Sequence, residues 1–237
     1  IFKSAFRANE KQILLTGYPR NDTFFDMDQD TPILAELESL KRTDTTTVIY
    51  MPTHRKEGKG EISELLNIDL NKLNQSLISL NTKLFIKLHY FHLKKHNYKN
   101  LSHIYFITDA DIAQDIYTIL TMFDMMITDF SSVHFDFLLT KRPIIFAPFD
   151  KDKYIMNDRE FYFNYDDVTP EPKVKDWDEL LVYIEKFNHN PKLYEKERLN
   201  VMRRFNKYIE NKIWSRRAIT LCFLAKFKSV CKFYFVG

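Results

Sequence analysis

The chain has 237 residues, of which 45% are hydrophobic and 28% charged, so we expect a folded globular protein rather than a disordered or fibrous one. Only four glycines are present, and neither G-x-G-x-x-G nor G-x-x-x-x-G-K-[ST] occurs, which excludes a glycine-rich nucleotide loop. The formal net charge of +3 conceals an asymmetry. From Arg203 onward nine lysines and arginines accompany a single acid, Glu210, whereas the rest of the chain is net acidic.

The two cysteines indicate a reducing compartment. Cys222 and Cys231 form neither a C-x-x-C motif nor a framework of pairs, which favours free thiols. No apolar run approaches the ~20 residues that a membrane-spanning helix needs. Because the chain begins at Ile1 without a methionine, we expect it to be part of a longer protein.

The first third of the chain begins with a predicted short strand at 12–16 and a loop at 17–22, whose sequence GYPRND is rich in turn-forming residues. The spacing of apolar residues predicts a helix over 32–41 and an amphipathic helix over 62–80. Between these helices, TVIYM at 47–51 predicts a buried strand.

Strands and helices continue to alternate along the rest of the chain. Further strands are predicted at 83–88, 103–108, 125–128 and 143–147. Further helices are predicted at 111–123, 132–139, 176–187 and 191–209. We expect Asp109 or Asp111 to cap the first of these helices and Pro191 to lie in the first turn of the last. The alternation predicts an α/β fold, with about five strands in a doubly wound, Rossmann-like parallel sheet.

Three loops are expected to meet at the carboxyl edge of that sheet. The first contains Arg55 and follows strand 47–51, and the second contains His89 and follows strand 83–88. The third is the turn after strand 125–128, where the polar residues are Thr128, Asp129, Ser131 and Ser132. Arginine binds phosphate through two parallel hydrogen bonds, and histidine can donate a proton near neutral pH. This combination fits a nucleotide diphosphate better than a sugar or a metal ion.

Each candidate residue also has a purely structural interpretation. The serines could cap the following helix, Arg55 could be a surface cation, and a single histidine such as His89 is more often structural than catalytic. His134 and Asp136, on the predicted helix at 132–139, are expected either to face outward or to make polar contacts in the core. The spacing of His89, His92 and His96 resembles a metal site, but no cysteine or nearby carboxylate accompanies them, so a solvated loop is the preferred interpretation.

Six segments in this order resemble the CDP-glycerol glycerophosphotransferases, which include teichoic-acid polymerases and primases. The segments are GYPRND (17–22), YMPTHR (50–55), KLH (87–89), ITDFSSVHFDFLL (127–139), KRPIIF (141–146) and REFYFNY (159–165). The resemblance implies a GT-B architecture of two Rossmann-like domains. Residues 1–43 would then be the end of the N-terminal domain with its connector, residues 44–208 the donor-binding domain, and residues 209–237 a basic helical tail.

The resemblance implies transfer of glycerol phosphate, or another polyol phosphate, from CDP-glycerol or CDP-ribitol to a hydroxyl of a polymer or lipid-linked acceptor, with release of CMP. His89 would act on the transferred phosphate or the leaving group. Donor binding would involve Arg55, Thr128, Asp129, Ser131, Ser132 and Arg159. No cofactor or metal is implied, and a second histidine is expected on the N-terminal domain. The alternatives are a GT-B glycosyltransferase that uses a nucleotide sugar, and a non-catalytic nucleotide-binding domain.

Four positions depart from the family pattern. Tyr90 stands where proline usually follows the histidine, and Phe130 replaces the usual tyrosine. Glu160 and Glu171 occupy positions where glycine is usual. Since glycine allows close backbone approach to a ligand, the two glutamates predict a less accommodating loop on the nucleotide side.

The C-terminal segment 209–237 alternates basic residues with large apolar ones, among them Trp214 and Phe235. On a helix this pattern favours contact with an anionic membrane surface. The competing interpretation is a helix that packs on the missing N-terminal domain. Nucleic acid is disfavoured because the rest of the chain is net acidic. The expected location is therefore the cytoplasmic face of a bacterial cell membrane.

Overall fold

A computed structural model describes residue 7 and residues 13–15, 18–25, 32–53, 68–88, 101–112, 115–152, 154, 163–206 and 234–236. The strands are β1 (Ile13–Leu15), β2 (Thr46–Met51), β3 (Thr82–Ile86), β4 (Ile104–Phe106), β5 (Met125–Thr128), β6 (Ile144–Phe146) and β7 (Tyr234–Val236). The α-helices are α1 (Pro32–Lys41), α2 (Leu70–Ser79), α3 (Val133–Phe137), α4 (Tyr165–Val168), α5 (Trp177–His189) and α6 (Glu195–Phe205). Short 3-10 helices cover Pro19–Phe25, Ile116–Thr118, Leu120–Met122 and Leu138–Thr140.

The main sheet has five strands in the order β4-β3-β2-β5-β6, and each neighbouring pair is parallel. The chain starts at the central strand β2, builds outward to β4, and then returns to the other side of β2 with β5. The strand order therefore reverses between β2 and β5, where Met51 is paired with Thr128. This arrangement confirms the predicted doubly wound parallel sheet. In such sheets ligands bind outside the carboxyl ends of the strands at the point of reversal.

Helices cover both faces of the sheet because each central strand sends alternate side chains to opposite sides. In β2, Ile49 joins a core formed by α1, α3, α6 and the segment 116–123, whereas Val48 and Tyr50 join a core formed by α2 and α5. Leu37 of α1 and Leu180 of α5 are completely buried in these two cores. The predicted domain boundary at residue 43 stays a prediction, and α1 packs in the same core as the sheet.

The predicted helix at 111–123 is wrong. The described part of this segment forms two 3-10 turns instead of one α-helix. The Asp115 side chain accepts the N–H of Tyr117, and the Thr118 hydroxyl donates to the Asp115 carbonyl oxygen. Such local bonds from Asp and Thr compete with a continuous helix, and the β-branched Ile116 and Ile119 add little helix propensity. Asp111 accepts from the N–H and hydroxyl of Thr108 rather than capping a helix.

Two other helices begin later than predicted. Within the described residues, α2 begins at Leu70, and Asp69 is its N-cap, accepting the N–H groups of Asn71 and Lys72. Residues 62–67 of that prediction lie outside the described ranges. The last predicted helix begins at Glu195 instead of Pro191. Its start is delayed because Tyr194 has a left-handed backbone, with φ of 58°.

The predicted helical tail is wrong for the three tail residues that the structure describes. Tyr234–Val236 forms β7, which pairs in parallel with β1 in register Ile13–Tyr234. Aromatic and β-branched residues favour such pairing. Residues 207–233 lie outside the described ranges. None of the helices described is long and apolar enough to cross a bilayer.

Candidate functional site

The loops that leave β2 and β5 are joined directly by Thr53 and Asp129. Oδ1 of Asp129 accepts the backbone N–H of Thr53 at 2.8 Å and the Thr53 hydroxyl at 2.6 Å. The same oxygen accepts the N–H of Phe130 at 2.6 Å. Because β2 and β5 are neighbours in the sheet, these bonds lie across its point of reversal. Two of the three loops predicted to converge are therefore held together there.

The turn after β5 is also fixed from two further directions. The Thr128 hydroxyl donates to the carbonyl oxygen of Met51 at 2.7 Å, and the Tyr165 hydroxyl donates to that of Asp129 at 2.9 Å. Thr128 is fully buried, Asp129 is 2% exposed, and Tyr165 is 6% exposed. These hydrogen bonds of Thr128 and Asp129 hold the turn in place.

Ser131 and Ser132 carry the accessible hydroxyls of this turn. Ser131 is partly buried and Ser132 is exposed at the start of α3. Ser132 occupies the N-cap position without a side-chain capping bond, while the Ser131 hydroxyl accepts the N–H of Val133 in a long contact of 3.4 Å. The structure therefore gives little support to the interpretation that the two serines cap the helix α3. Their hydroxyls are the groups of the turn best placed to meet a ligand.

His134 of α3 makes a core contact rather than facing solvent. Its Nδ1 lies 2.7 Å from the carbonyl oxygen of Ser131, and its ring packs in a tilted contact with Phe135 and edge to face with Phe146. Burial lowers the pKa of His134 to about 4, against the raising influence of the Ser131 and Val168 backbone. The imidazole is therefore neutral at physiological pH and holds the serine turn through a backbone carbonyl.

Asp136 connects α3 to the segment that contains GYPRND. Its Oδ2 accepts from the Arg20 guanidinium and from the Tyr117 hydroxyl, both at 2.9 Å, and the side chain is 1% exposed. Burial opposes the charge of Arg20, but Asp136 and Tyr117 outweigh it and raise the pKa of the guanidinium. Arg20 also lies over the ring of Tyr18, 4.2 Å from its centroid. Of the two sequence alternatives for His134 and Asp136, polar contact in the core is confirmed.

Phe130, which replaces the usual tyrosine, belongs to an aromatic cluster beside the turn. Its ring stacks on Tyr154 with centroids 4.2 Å apart and packs against Tyr165 at 5.5 Å. Lys151 lies 5.0 Å from the centroid of the Tyr165 ring. The cluster therefore packs against the turn through the side chain of Phe130.

Glu171, where the family usually has glycine, points into the protein interior. Its Oε2 accepts from Arg198 at 2.7 Å and from the backbone N–H of Ile144 at 3.0 Å, and both charged side chains are almost fully buried. Burial raises the pKa of Glu171 to about 8, against the lowering influence of Arg198. The adjoining Pro172 accepts the Phe146 N–H and so covers the outer edge of β6. This glutamate thus ties the loop to α6 and β6.

The remaining predicted site residues lie outside the described ranges. These are Arg55, His89 and Arg159, together with the departures Tyr90 and Glu160. Their predicted roles stay predictions. The structure does describe the strands that lead to two of them, since β2 ends four residues before Arg55 and β3 ends three residues before His89.

Four residues that fix the site, Thr53, Tyr165, Arg20 and Asp136, were not among the site residues predicted from the sequence. Each lies within one of the six segments quoted for the family resemblance, which was the available signal. Their partners are distant in sequence: Thr53 and Asp129 are 76 positions apart, and Arg20 and Asp136 are 116 apart. Only the folded sheet brings such pairs together.

The doubly wound sheet and the hydrogen-bonded loops after β2 and β5 define an α/β domain of the kind that binds nucleotides at a topological switch point. Residues 1–223 match the sequence profile of the CDP-glycerol:poly(glycerophosphate) glycerophosphotransferases, and the chain belongs to this family. Over 210 residues it is 30% identical to a teichoic acid glycerol-phosphate transferase of Staphylococcus aureus, which covers 86% of this chain and 53% of that protein. A teichoic acid poly(glycerol phosphate) polymerase of Staphylococcus epidermidis is 34% identical over 180 residues, covering 73% of this chain and 24% of the polymerase.

Solved structures agree with this assignment. The wall teichoic acid polymerase TagF superposes with a TM-score of 0.75 at 28% identity, covering 95% of this chain and 54% of TagF. A putative UDP-N-acetylglucosamine 2-epimerase from Listeria monocytogenes superposes with a TM-score of 0.55 at 16% identity, which indicates a shared fold alone. The chain therefore spans about half the length of the S. aureus transferase and of TagF.

Proposed function

We propose that this chain provides the donor-binding half of a polyol-phosphate transferase. In this reaction glycerol phosphate, or ribitol phosphate, passes from a CDP-linked donor to a hydroxyl of a polymer or lipid-linked acceptor, and CMP leaves. The observation that carries the proposal is the pair of loops held together at the β2–β5 reversal by Thr53 and Asp129, within a family match that spans 1–223. Both glycerol-phosphate and ribitol-phosphate enzymes occur among the relatives, so polyol phosphate is the appropriate description of the substrate.

The proposed roles follow the chemistry of each group. Arg55 and the hydroxyls of Ser131 and Ser132 would bind the donor phosphates, since a guanidinium and hydroxyl donors suit anionic oxygens. Arg159 would be a further donor-binding residue. His89 would contact the transferred phosphoryl group or protonate the leaving group. The general base would come from a second domain, which is consistent with the partial coverage of the relatives.

Nucleotide binding by the chain tests the proposal. Isothermal titration should show binding of CDP-glycerol and CMP, with UDP-sugars much weaker. Ser131→Ala should reduce the affinity for CDP-glycerol about tenfold, the effect of losing a hydrogen bond to a charged group. The matched control is Ser79→Ala, because Ser79 is an exposed serine on α2, away from the turn after β5. Binding of UDP-sugars without a response to CMP or CDP-glycerol would support the glycosyltransferase alternative instead.

Turnover tests the role of His89. In the full-length gene product supplied with acceptor, His89→Ala should still bind CDP-glycerol but should release CMP at least a hundredfold more slowly, as is usual for loss of a general acid. Unchanged CMP release in both His89→Ala and Ser131→Ala would contradict the site assignment. A wild-type protein that binds CMP but never releases it from CDP-glycerol would support the non-catalytic alternative.

The location of the protein is also a proposal. Residues 209–237 combine basic and large apolar side chains, a composition suited to the anionic inner surface of a bacterial membrane. A polymer or lipid-linked acceptor would lie at that surface, so weak peripheral attachment would bring the transferase to its acceptor.

A further inference from the structure

We propose that Thr53, Asp129 and Tyr165 form a brace that positions the donor-binding loops, and that they act as positioning residues rather than as ligands of the donor. The inference rests on the proposed function, because it takes the donor to be a CDP-linked polyol. It revises the sequence prediction that Asp129 binds substrate directly. It also assigns roles to Thr53 and Tyr165, which that prediction left out.

The charge of Asp129 argues against direct contact with a phosphate group. An ionised carboxylate only accepts hydrogen bonds, and it repels the negative oxygens of a diphosphate. Oδ1 already accepts three donors, from the Thr53 backbone, the Thr53 hydroxyl and the Phe130 backbone. With 2% of its surface exposed, the residue is directed into the protein. Its chemistry therefore suits the orientation of N–H and O–H groups on two loops.

Tyr165 completes the brace on the other side of the turn. Burial, followed by the charge of Asp129, raises the pKa of the Tyr165 hydroxyl, so this group remains protonated and keeps donating to the Asp129 carbonyl oxygen. Its ring packs against Phe130 and Phe146, which fixes the direction of the hydroxyl. The backbone of Asp129 is thus held by a side chain that lies 36 positions further along the chain.

The residues of the brace are close in sequence to residues that are predicted to bind the donor phosphates. Arg55 follows Thr53 by two residues, and Ser131 follows Asp129 by two residues. Two residues span at most about 7 Å, so fixing Asp129 keeps the backbone of Ser131 close to the β2–β5 reversal. Holding binding groups in place before the ligand arrives reduces the ordering cost of binding.

A matched pair of substitutions at Thr53 tests the inference. Thr53→Val keeps the shape of the side chain but removes the hydroxyl donor, whereas Thr53→Ser keeps the donor. We expect Thr53→Val and Tyr165→Phe each to weaken CDP-glycerol binding about tenfold in isothermal titration. Thr53→Val loses one charge-assisted hydrogen bond, and Tyr165→Phe loses the hydrogen bond that holds the backbone of the turn at Asp129. Thr53→Ser should bind within about twofold of the wild type. Thr53→Val should also melt at a lower temperature than Thr53→Ser, because the buried Asp129 carboxylate loses a donor, so binding is measured well below both melting temperatures.

Hydrogen exchange of the peptide that covers 130–133 provides a readout that does not depend on the ligand. It should be faster in Thr53→Val and Tyr165→Phe than in the wild type or Thr53→Ser. Equal CDP-glycerol affinity in Thr53→Val and wild type, or equal weakness in Thr53→Val and Thr53→Ser, would overturn the positioning role. If the wild type binds no cytidine nucleotide, the proposed function fails. In that case unchanged exchange in Thr53→Val would separately overturn the brace.

Discussion

His134 and Asp136 lie two positions apart on α3, and both side chains are buried. One is a neutral imidazole beside the Ser131 carbonyl, and the other is a carboxylate paired with Arg20 and Tyr117. Polar groups that leave water need partners in the protein. His134 holds the serine turn locally, whereas the partners of Asp136 lie in distant segments and join α3 to them, and the effects of both residues on stability can be measured.

The low pKa of His134 predicts that stability depends on pH in the acidic range. The unfolded imidazole takes up a proton near pH 6.5, whereas the folded one does so only at about pH 4. The unfolded state therefore binds more protons between these values, and stability falls as the pH decreases from about 6.5 to about 4. The full loss is roughly 3 kcal/mol.

Urea unfolding of the wild type and His134→Gln at pH 7 and pH 4.5 measures this contribution. We expect the pH dependence over this interval to be smaller in His134→Gln than in the wild type. His189→Gln is the control, because His189 is exposed at the end of α5 and its replacement should leave the wild-type dependence unchanged. An equal loss of stability in wild type and His134→Gln would contradict the prediction.

At the scale of elements, the 3-10 helix Pro19–Phe25 is attached to α3 by the Arg20–Asp136 contact. The sequence predicts a loop for GYPRND, and nothing in its local pattern indicates that this loop lies near the serine turn. The 3-10 helix also contacts the turn at Ile116–Thr118, where Phe24 meets Tyr117 edge to face. These contacts attach the 3-10 helix to α3, whose first residues adjoin the serine turn.

Arg20→Ala should destabilise the chain measurably. It leaves the buried Asp136 carboxylate with one of its two described donors, and an unsatisfied buried group costs about 1–3 kcal/mol. Chemical denaturation measures the change in the free energy of unfolding. The control is Arg42→Ala, since Arg42 is exposed in the turn after α1. Equal free energies of unfolding in the two variants would show that the Arg20–Asp136 pair does not stabilise the attachment of the 3-10 helix to α3.

At the scale of the whole molecule, the uneven charge distribution predicts binding to an anionic surface in the cell. The basic residues from Arg203 onward would favour anionic surfaces, while the acidic remainder of the chain would avoid them. Near the C-terminal end of this region, the structure describes the short strand β7, which pairs with β1. A membrane role for the tail must therefore be compatible with this pairing.

Sedimentation with vesicles tests the membrane role. The chain should sediment with phosphatidylglycerol vesicles but not with phosphatidylcholine vesicles, and added salt should weaken the binding. A variant with Lys226→Glu, Lys228→Glu and Lys232→Glu should lose this binding while its thermal unfolding stays as in the wild type. A truncation before Asn211, which removes residues 211–237, is a second comparison. Equal sedimentation by all three proteins would contradict a membrane role.

The amino-acid sequence by itself determined the class of fold and the family. Near-continuous apolar strands such as Met125–Thr128 alternate with helical periodicity, and parallel sheets with covered faces are what such strands form. Helix ends were predicted less well, because local caps such as Asp115 and the left-handed Tyr194 decide where a helix starts. The serine turn was correctly placed after β5, since its position depends only on local order along the chain.

Only the tertiary structure decided which side chains meet and which face inward. Thr53 reaches Asp129 because β2 and β5 are neighbours in the sheet, and Glu171 joins α6 to β6 through Arg198 and the backbone N–H of Ile144. A pattern in the chain reports the preferences of each segment, whereas these contacts depend on strand order and on the packing of distant segments. For the same reason only the folded domain shows that Asp129, which the sequence marked as a donor-binding residue, is hydrogen-bonded to both loops.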